Sequence, residues 1–344
     1  MTFSAQPLDT STTFINSLNT AAVRMLANAV FGPPLLSMLS QQSNLERPLV
    51  AQGPSFERNE HKSPAIFTLT PEYQQWLLQL DKQPDSLLDH LHSNKNGKKH
   101  IKLGIYHERL WQYFLSNNNN TKLLATNLAA RNNGNDLGEF DLIYEHCDYG
   151  LVHLEIASKY YLACSQQTQQ WQTWLGPGKT DRLDLKLNHS INKQMNLADH
   201  PRATEQLLAH LDSMGIARPT SQQPLNKQLH IGGRLFYRRE EPISPSTLAK
   251  QYNSPDKLNN LHQAGHWLLL SEWQHLLKKY KVEYHLVDKP YWLDTASGNQ
   301  RRLAGANAED KIATRMPEMI IYSIEALNVE NHFCFIVPNN WLTL

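Results

Sequence analysis

Cysteine is scarce in this sequence. Cys147, Cys164 and Cys334 are odd in number, far apart and without a CxxC pair, so neither a disulfide framework nor a cysteine-based zinc site is expected. A surplus of one charge is also missing. With 33 Lys and Arg against 32 Asp and Glu in 344 residues, neither a global basic surface for nucleic acid nor an acidic tail is present, and any such surface must be local. No run approaches the roughly 18 apolar residues of a membrane span, and the opening MTFSAQPLDTSTTF lacks the basic start and apolar stretch of a signal peptide. These absences lead us to expect a cytosolic chain that does not enter a membrane. A content of 40% hydrophobic and 19% charged residues lies in the globular range and excludes a disordered, collagen-like or rod-like chain.

Periodicity then organises the chain. Apolar residues recur at helical spacing from Thr13 (Phe14, Leu18, Ala22, Met25, Leu26, Ala29), and GPP at 32–34 stops the pattern. PEYQQWLLQLD at 71–81 begins with proline at a first helical position and puts Tyr73, Trp76, Leu77 and Leu80 on one face; a short helix around Ser86 to Leu91 follows. The lysine-rich stretch 91–102 reads as an exposed loop. A helix from Leu103 carries Glu108 in its middle. Three β-prone stretches, KLLATNLAARN, LGEFDLIYEHC and GLVHLEIASKYYL, are separated by NNGND and CDYG and read as a meander. Helical spacing returns over Thr180 to Ala198. The polar, proline-containing segment 215–228 is either a linker or a long surface loop. Beyond it, HIGGRLFYRR, KVEYHLV, EMIIYSIEAL and HFCFIVP read as strands and LSEWQHLLKKY as a helix. The expectation is an α/β (α+β) chain with an N-terminal helical region at 1–95, a core at 96–214 and a mixed region at 229–344 that either stands as a smaller domain or extends the same sheet.

Chemistry concentrates at 137–162. Period-two alternation sets Glu139, Asp141 and Ile143 on one side of the first strand and His153, Glu155, Ala157 and Lys159 on one side of the second. If the hairpin closes through residues 147–149, Asp141 falls opposite Glu155, roughly 5 Å away. Like charges so placed repel unless a proton or cation intervenes. An oxygen-only pair suits Mg²⁺ or Mn²⁺, with substrate phosphate completing the coordination. Lys159, on the same face, would steady a nucleophile or a phosphate oxygen, giving a layout for metal-assisted phosphodiester hydrolysis.

These residues resemble the PD-(D/E)xK nuclease superfamily, whose restriction-endonuclease-like core is a helix, a three-stranded meander and a following helix. The resemblance implies Asp141 and Glu155 as metal ligands, Glu108 as the further acid from the preceding helix, and Glu139 as a neighbour. The lysine departs from the pattern, because Ala157 occupies the usual position and Lys159 lies one strand pair further along. Gln194 resembles a glutamine that some branches place near the site, with Lys186 two turns earlier on the same helix. Over nearly the whole chain from Val23 to Trp341, the stretches VRMLANAVFGPPLL, LGIYHERLW, the 137–162 segment, DRLDLKL, GRLFY and FIVPNNW resemble the bacterial domain of unknown function family 1853. The function expected is a metal-dependent nuclease acting on nucleic acid. The alternatives are a catalytically degenerate fold that binds nucleic acid or a protein, and hydrolysis of another phosphate ester.

Other motifs carry less. GPGKT at 176–180 lacks the first glycine of a phosphate loop, since residue 173 is Thr173, and Thr180 or Asp181 is expected to cap the next helix. Trp267, Trp273, Trp292 and Trp341 could stack bases and Arg234, Arg238, Arg239, Arg301 and Arg302 could meet phosphates, although tryptophans in a core are the simpler reading. His262 and His266, at i and i+4, could share a helix face, but no HExxH glutamate accompanies them. His153 reads as a structural histidine, and Cys164 has no base partner that would activate it.

Overall fold

The computed structural model describes residues 10–36, 67–93, 102–220, 223–239, 255, 258–295 and 317–343. Helices α1 (Thr10–Ser17) and α2 (Ala21–Phe31) replace the single expected N-terminal helix. The break at Leu18 to Thr20 is held by Asp81, whose carboxylate accepts the Asn19 and Thr20 backbone N–H groups at 2.8 and 2.7 Å and so satisfies the amides at the start of α2. Helix α3 (Pro71–Lys82) is capped by Thr70, and α4 (Asp85–His92) and α5 (Leu103–Asn117) follow. Of the lysine-rich stretch 91–102, Leu91 and His92 belong to α4, and residues 94–101 lie outside the described residues.

Strands β1 (Thr121–Asn132), β2 (Asn135–His146) and β3 (Gly150–Ala163) form the antiparallel meander. A two-residue strand, β4 (Trp174–Leu175), pairs with the end of β3. Helix α6 (Leu183–His189) then runs into a π turn at Ser190–Gln194 and a 3-10 turn at Leu197–Asp199. The single helix expected over 180–198 is therefore broken. Asn188, Asn192 and Asn196 explain the change: Asn192 donates to Asn188, and Asn196 reaches back to the Asn192 carbonyl at 3.3 Å, side-chain bonds that compete with regular helix. Neither Thr180 nor Asp181 caps α6. Its cap position is Arg182, and Asp181 is drawn instead to Lys159.

Helix α7 (Pro201–Ser213) is an addition to the expected set, although proline at its first turn and Ala203, Leu207 and Leu211 at four-residue spacing were there to be read. After 215–225 the chain enters β5 (Asn226–Arg238), which pairs in parallel with β3 from Val152 opposite Asn226 to Leu162 opposite Phe236. Strand β6 (Gln263–Leu269), helix α8 (Leu270–Lys279), β7 (Glu283–Leu286), β8 (Glu318–Ile324) and β9 (Val329–Val337) complete a mixed nine-stranded sheet in the order β1-β2-β3-β5-β6-β9-β8-β7, with β4 paired to β3.

Helices cover both faces of this sheet, a mixed α/β arrangement. Leu142, Tyr144, Val152, Leu154 and Ile156 face α2 to α5 in one cluster. On the other side Ala157, Tyr161, Leu229 and Ile231 pack under α6, and Phe140, Ile143 and Leu151 pack under α7. Helix α8 covers Leu268, Ile320 and Cys334 further along. The acidic side of the meander is therefore largely covered: His153 and Glu155 are buried and Asp141 is half-buried, while Glu139 stays exposed. Among the described residues no helix is long and apolar enough to cross a membrane.

Candidate functional site

The β2–β3 ladder runs from His146 opposite Gly150 to Leu142 opposite Leu154. One step beyond, where the ladder ends, stand Asp141 and Glu155. The strict alternation expected for β2 fails at this point. Phe140 packs with the α7 cluster and Leu142 with the α5 cluster, so the strand changes phase across Asp141. On β1 the matching irregularity is Asn127, in the left-handed region at φ 49°, between the pairs Thr126 with Leu142 and Leu128 with Phe140. Asparagine tolerates this backbone better than other non-glycine residues. The double irregularity parts the strands and lets the Asp141 carboxylate turn to the β3 backbone, where Oδ2 accepts the Ile156 N–H at 3.0 Å.

Glu155 is 3% exposed, and its Oε1 lies 2.7 Å from Nε2 of the fully buried His153. The Phe140 ring packs edge-to-face with the imidazole, with centroids 4.9 Å apart. The Asp141 and Glu155 carboxyls lie within hydrogen-bonding reach of each other. Burial first, and the Glu155 charge second, push the Asp141 carboxyl up to about 8; the Ile156 N–H opposes this and the Glu108 charge adds to it. At neutral pH the pair is therefore short of positive charge, and a proton on Asp141 is the remedy these residues themselves provide.

Around the pair the expected residues assemble unevenly. Glu108 on α5 is half-buried, and Asn127 Nδ2 donates to its Oε2 at 3.4 Å. Its pKa is raised by burial and by the exposed Glu139 nearby. It does not join Asp141 and Glu155 in a trio of ligand atoms within 4.8 Å of one another, so any part it plays in holding an ion runs through water. Lys159 is tied to Asp181, Nζ to Oδ2 at 2.5 Å. Lys186 on α6 lies in the field of the same acids: its pKa is lowered, by burial first and by the neighbouring Lys159 second, while Asp141, Glu155 and Asp181 raise it. Gln194 lies beside β2, its Oε1 3.4 Å from where a side chain on Gly138 would begin. It also bonds His189, whose pKa is lowered by partial burial and by Lys186 and Lys193 and raised by Glu155. His189 and Asn127 were not singled out in the sequence. The three-residue spacing from Lys186 carried a signal for the first, whereas that for the second lay in backbone geometry.

Each carboxylate has one oxygen anchored by the protein, with His153 and the Ile156 amide acting as the outer supports that typically orient ligands. This all-oxygen pair with excess negative charge fits a hard divalent ion such as Mg²⁺ or Mn²⁺.

Several other candidates fall away. The four tryptophans named above are all buried, and the indole N–H groups of Trp267, Trp292 and Trp341 donate to the Ala163, Val287 and Pro177 carbonyls. Arg234 and Arg239 are buried, Arg238 pairs with Glu272, and Arg301 and Arg302 lie outside the described residues. His262 and His266 do not share a helix, because parallel pairing with β5 and β9 makes 263–269 a strand. His262 bonds the Tyr237 hydroxyl at 3.0 Å, and His266 meets His332.

A mixed α/β sheet covered on both faces, with two carboxylates meeting where its meander parts, defines the class of protein. The chain belongs to the family described as domain of unknown function (DUF1853), which it matches over residues 24–328. No curated protein and no solved structure matches it.

Proposed function

We propose that the protein is a metal-dependent nuclease of the PD-(D/E)xK type, hydrolysing nucleic-acid phosphodiesters at the Asp141–Glu155 pair. One observation carries this reading: two acids from adjacent strands, both otherwise anchored, turn toward each other in a buried layer where their repulsion is otherwise relieved by a proton. The order α5, β1 to β3, α6 supports it. Asp141 and Glu155 would hold Mg²⁺ or Mn²⁺, and Glu108 would reach the ion through water. The ion would supply charge for a phosphate oxygen and lower the pKa of water beside it. Lys186 would balance the acids and offer its ammonium to substrate phosphate, while Lys159 is paired with Asp181. His153 keeps Glu155 oriented, and His189 at the end of α6 with Gln194 in the π turn borders the site.

The occupied state of Lys159 favours the second reading, a nuclease-like fold that binds nucleic acid without cleaving it. Purified protein assayed on single- and double-stranded DNA and RNA with Mg²⁺ or Mn²⁺ separates the two. The first reading expects cleavage that is lost in Asp141→Ala and Glu155→Ala. Salt-sensitive binding without turnover supports the second, and cleavage that survives both substitutions rules out this site as its source.

A further inference from the structure

The turn joining β2 to β3 carries a second cluster that the nuclease reading does not use. His146, Cys147 and Asp148 bring one imidazole nitrogen, one thiol sulfur and one carboxylate oxygen within 4.8 Å of one another, the only such trio of potential metal ligands among the described residues. His146 Nδ1 lies 3.9 Å from Cys147 Sγ and 4.0 Å from Asp148 Oδ2. Tetrahedral coordination with bonds of about 2.0 to 2.3 Å needs these atoms only slightly closer together, and Cys147 and Asp148 are both exposed and free to close that gap.

The His146 ring is held in place by its neighbours. It stacks on Tyr149, with centroids 4.4 Å apart at 26°, and lies 5.9 Å from Phe67. The Asp148 backbone N–H points at His146 Nδ1 from 3.1 Å. A backbone N–H can only donate, so the ring proton sits on Nε2 and the Nδ1 lone pair accepts this hydrogen bond; the tautomer is the one a metal ion requires at Nδ1, and an ion bound there takes the lone pair over from the Asp148 N–H. The Cys147 backbone N–H donates to the Asn120 carbonyl at 2.9 Å and fixes the turn. A polar cleft of about 680 Å³, bordered by Glu145, Lys122 and Asn226, opens beside it.

We propose that the His146–Cys147–Asp148 turn is a binding site for a borderline-soft divalent cation of the zinc class, with the fourth position open to the cleft. Nitrogen and sulfur donors select such an ion over Mg²⁺, and coordination releases the thiol proton to solvent. The site differs from the acid pair in chemistry and place, because His146 stands five steps along β2 from Asp141, roughly 17 Å. The absence of a CxxC pair hid it in the sequence, since a mixed set on three consecutive residues has no spacing signature.

Co²⁺ titration of the full chain tests this assignment, because a thiolate-to-cobalt charge-transfer band reports sulfur coordination. One equivalent should give the band in the wild type and equally in Asp141→Ala. Cys147→Ser should abolish it, and Asp148→Ala should weaken Co²⁺ binding by at least about tenfold, since loss of even an outer-shell partner costs about 10- to 100-fold. Both substitutions are at exposed turn positions and spare the packed His146 ring. No band in the wild type, a band that persists in Cys147→Ser, or binding lost only in Asp141→Ala would overturn the proposal. None of these results depends on nuclease activity.

Discussion

Asp141 carries the electrostatic tension of the molecule. An acid whose pKa is raised on folding keeps its proton longer in the native state than in the unfolded chain, so unfolding releases a proton between the two values. Stability therefore falls as pH rises from about 4, the unfolded carboxyl, to about 8, and levels off above. Asp141→Asn removes that slope and should be more stable than the wild type at pH 8 by at least about 1 kcal/mol in urea unfolding. A profile identical in the two chains would show that Asp141 is not the buried proton acceptor. Among the cations, Lys186→Ala should reduce any metal-dependent cleavage about 100-fold, on the scale of a lost electrostatic partner, and more than Lys159→Ala does. The reverse order would return the lysine's role to Lys159. The facing of Asp141 and Glu155 was legible in the sequence because a three-residue turn fixes antiparallel register. The burial of their face was not, since it depends on α6 and α7 folding back from later in the chain.

Among the elements, β3 and β5 depend on one glycine. Gly233 has φ +122°, and a side-chain carbon there would lie 1.8 Å from the Lys159 carbonyl oxygen. Gly233→Ala must push β5 away from β3 where they pair, with a loss above about 3 kcal/mol in denaturant unfolding; a loss below 1 kcal/mol would contradict this contact. Long periodic elements such as α3, α5 and the meander could be read in advance because one period dominates each. Two elements escaped for physical reasons. Helix α7 begins directly after a 3-10 turn, so a single pattern seemed to end at Ala198. Strand β6 buries its successive residues from Gly265 to Leu268, a short parallel run with no alternation to mark it. The shift of phase at Asp141 also lies beyond pattern reading, because it arises from the left-handed Asn127 on a different strand.

Across the whole molecule, contacts distant in sequence tie the described residues together. Arg24 on α2 makes a buried bidentate pair with Asp294, at 2.9 and 2.8 Å, while its remaining nitrogen donates to the Leu18 and Asn19 carbonyls. Asp294→Ala leaves that guanidinium buried without its counter-charge and should cost about 3 to 5 kcal/mol. Because β5 to β9 continue the sheet begun by β1 to β3, the loss should lower a single cooperative transition; two separated transitions would show that the halves unfold independently. The most direct test of the central claim is Mn²⁺ binding at pH 8, followed by electron paramagnetic resonance in a Cys147→Ser background so that the turn does not contribute. One site is expected, weakened at least about tenfold by Asp141→Ala and by Glu155→Ala. Mn²⁺ affinity unchanged by either substitution would contradict the account.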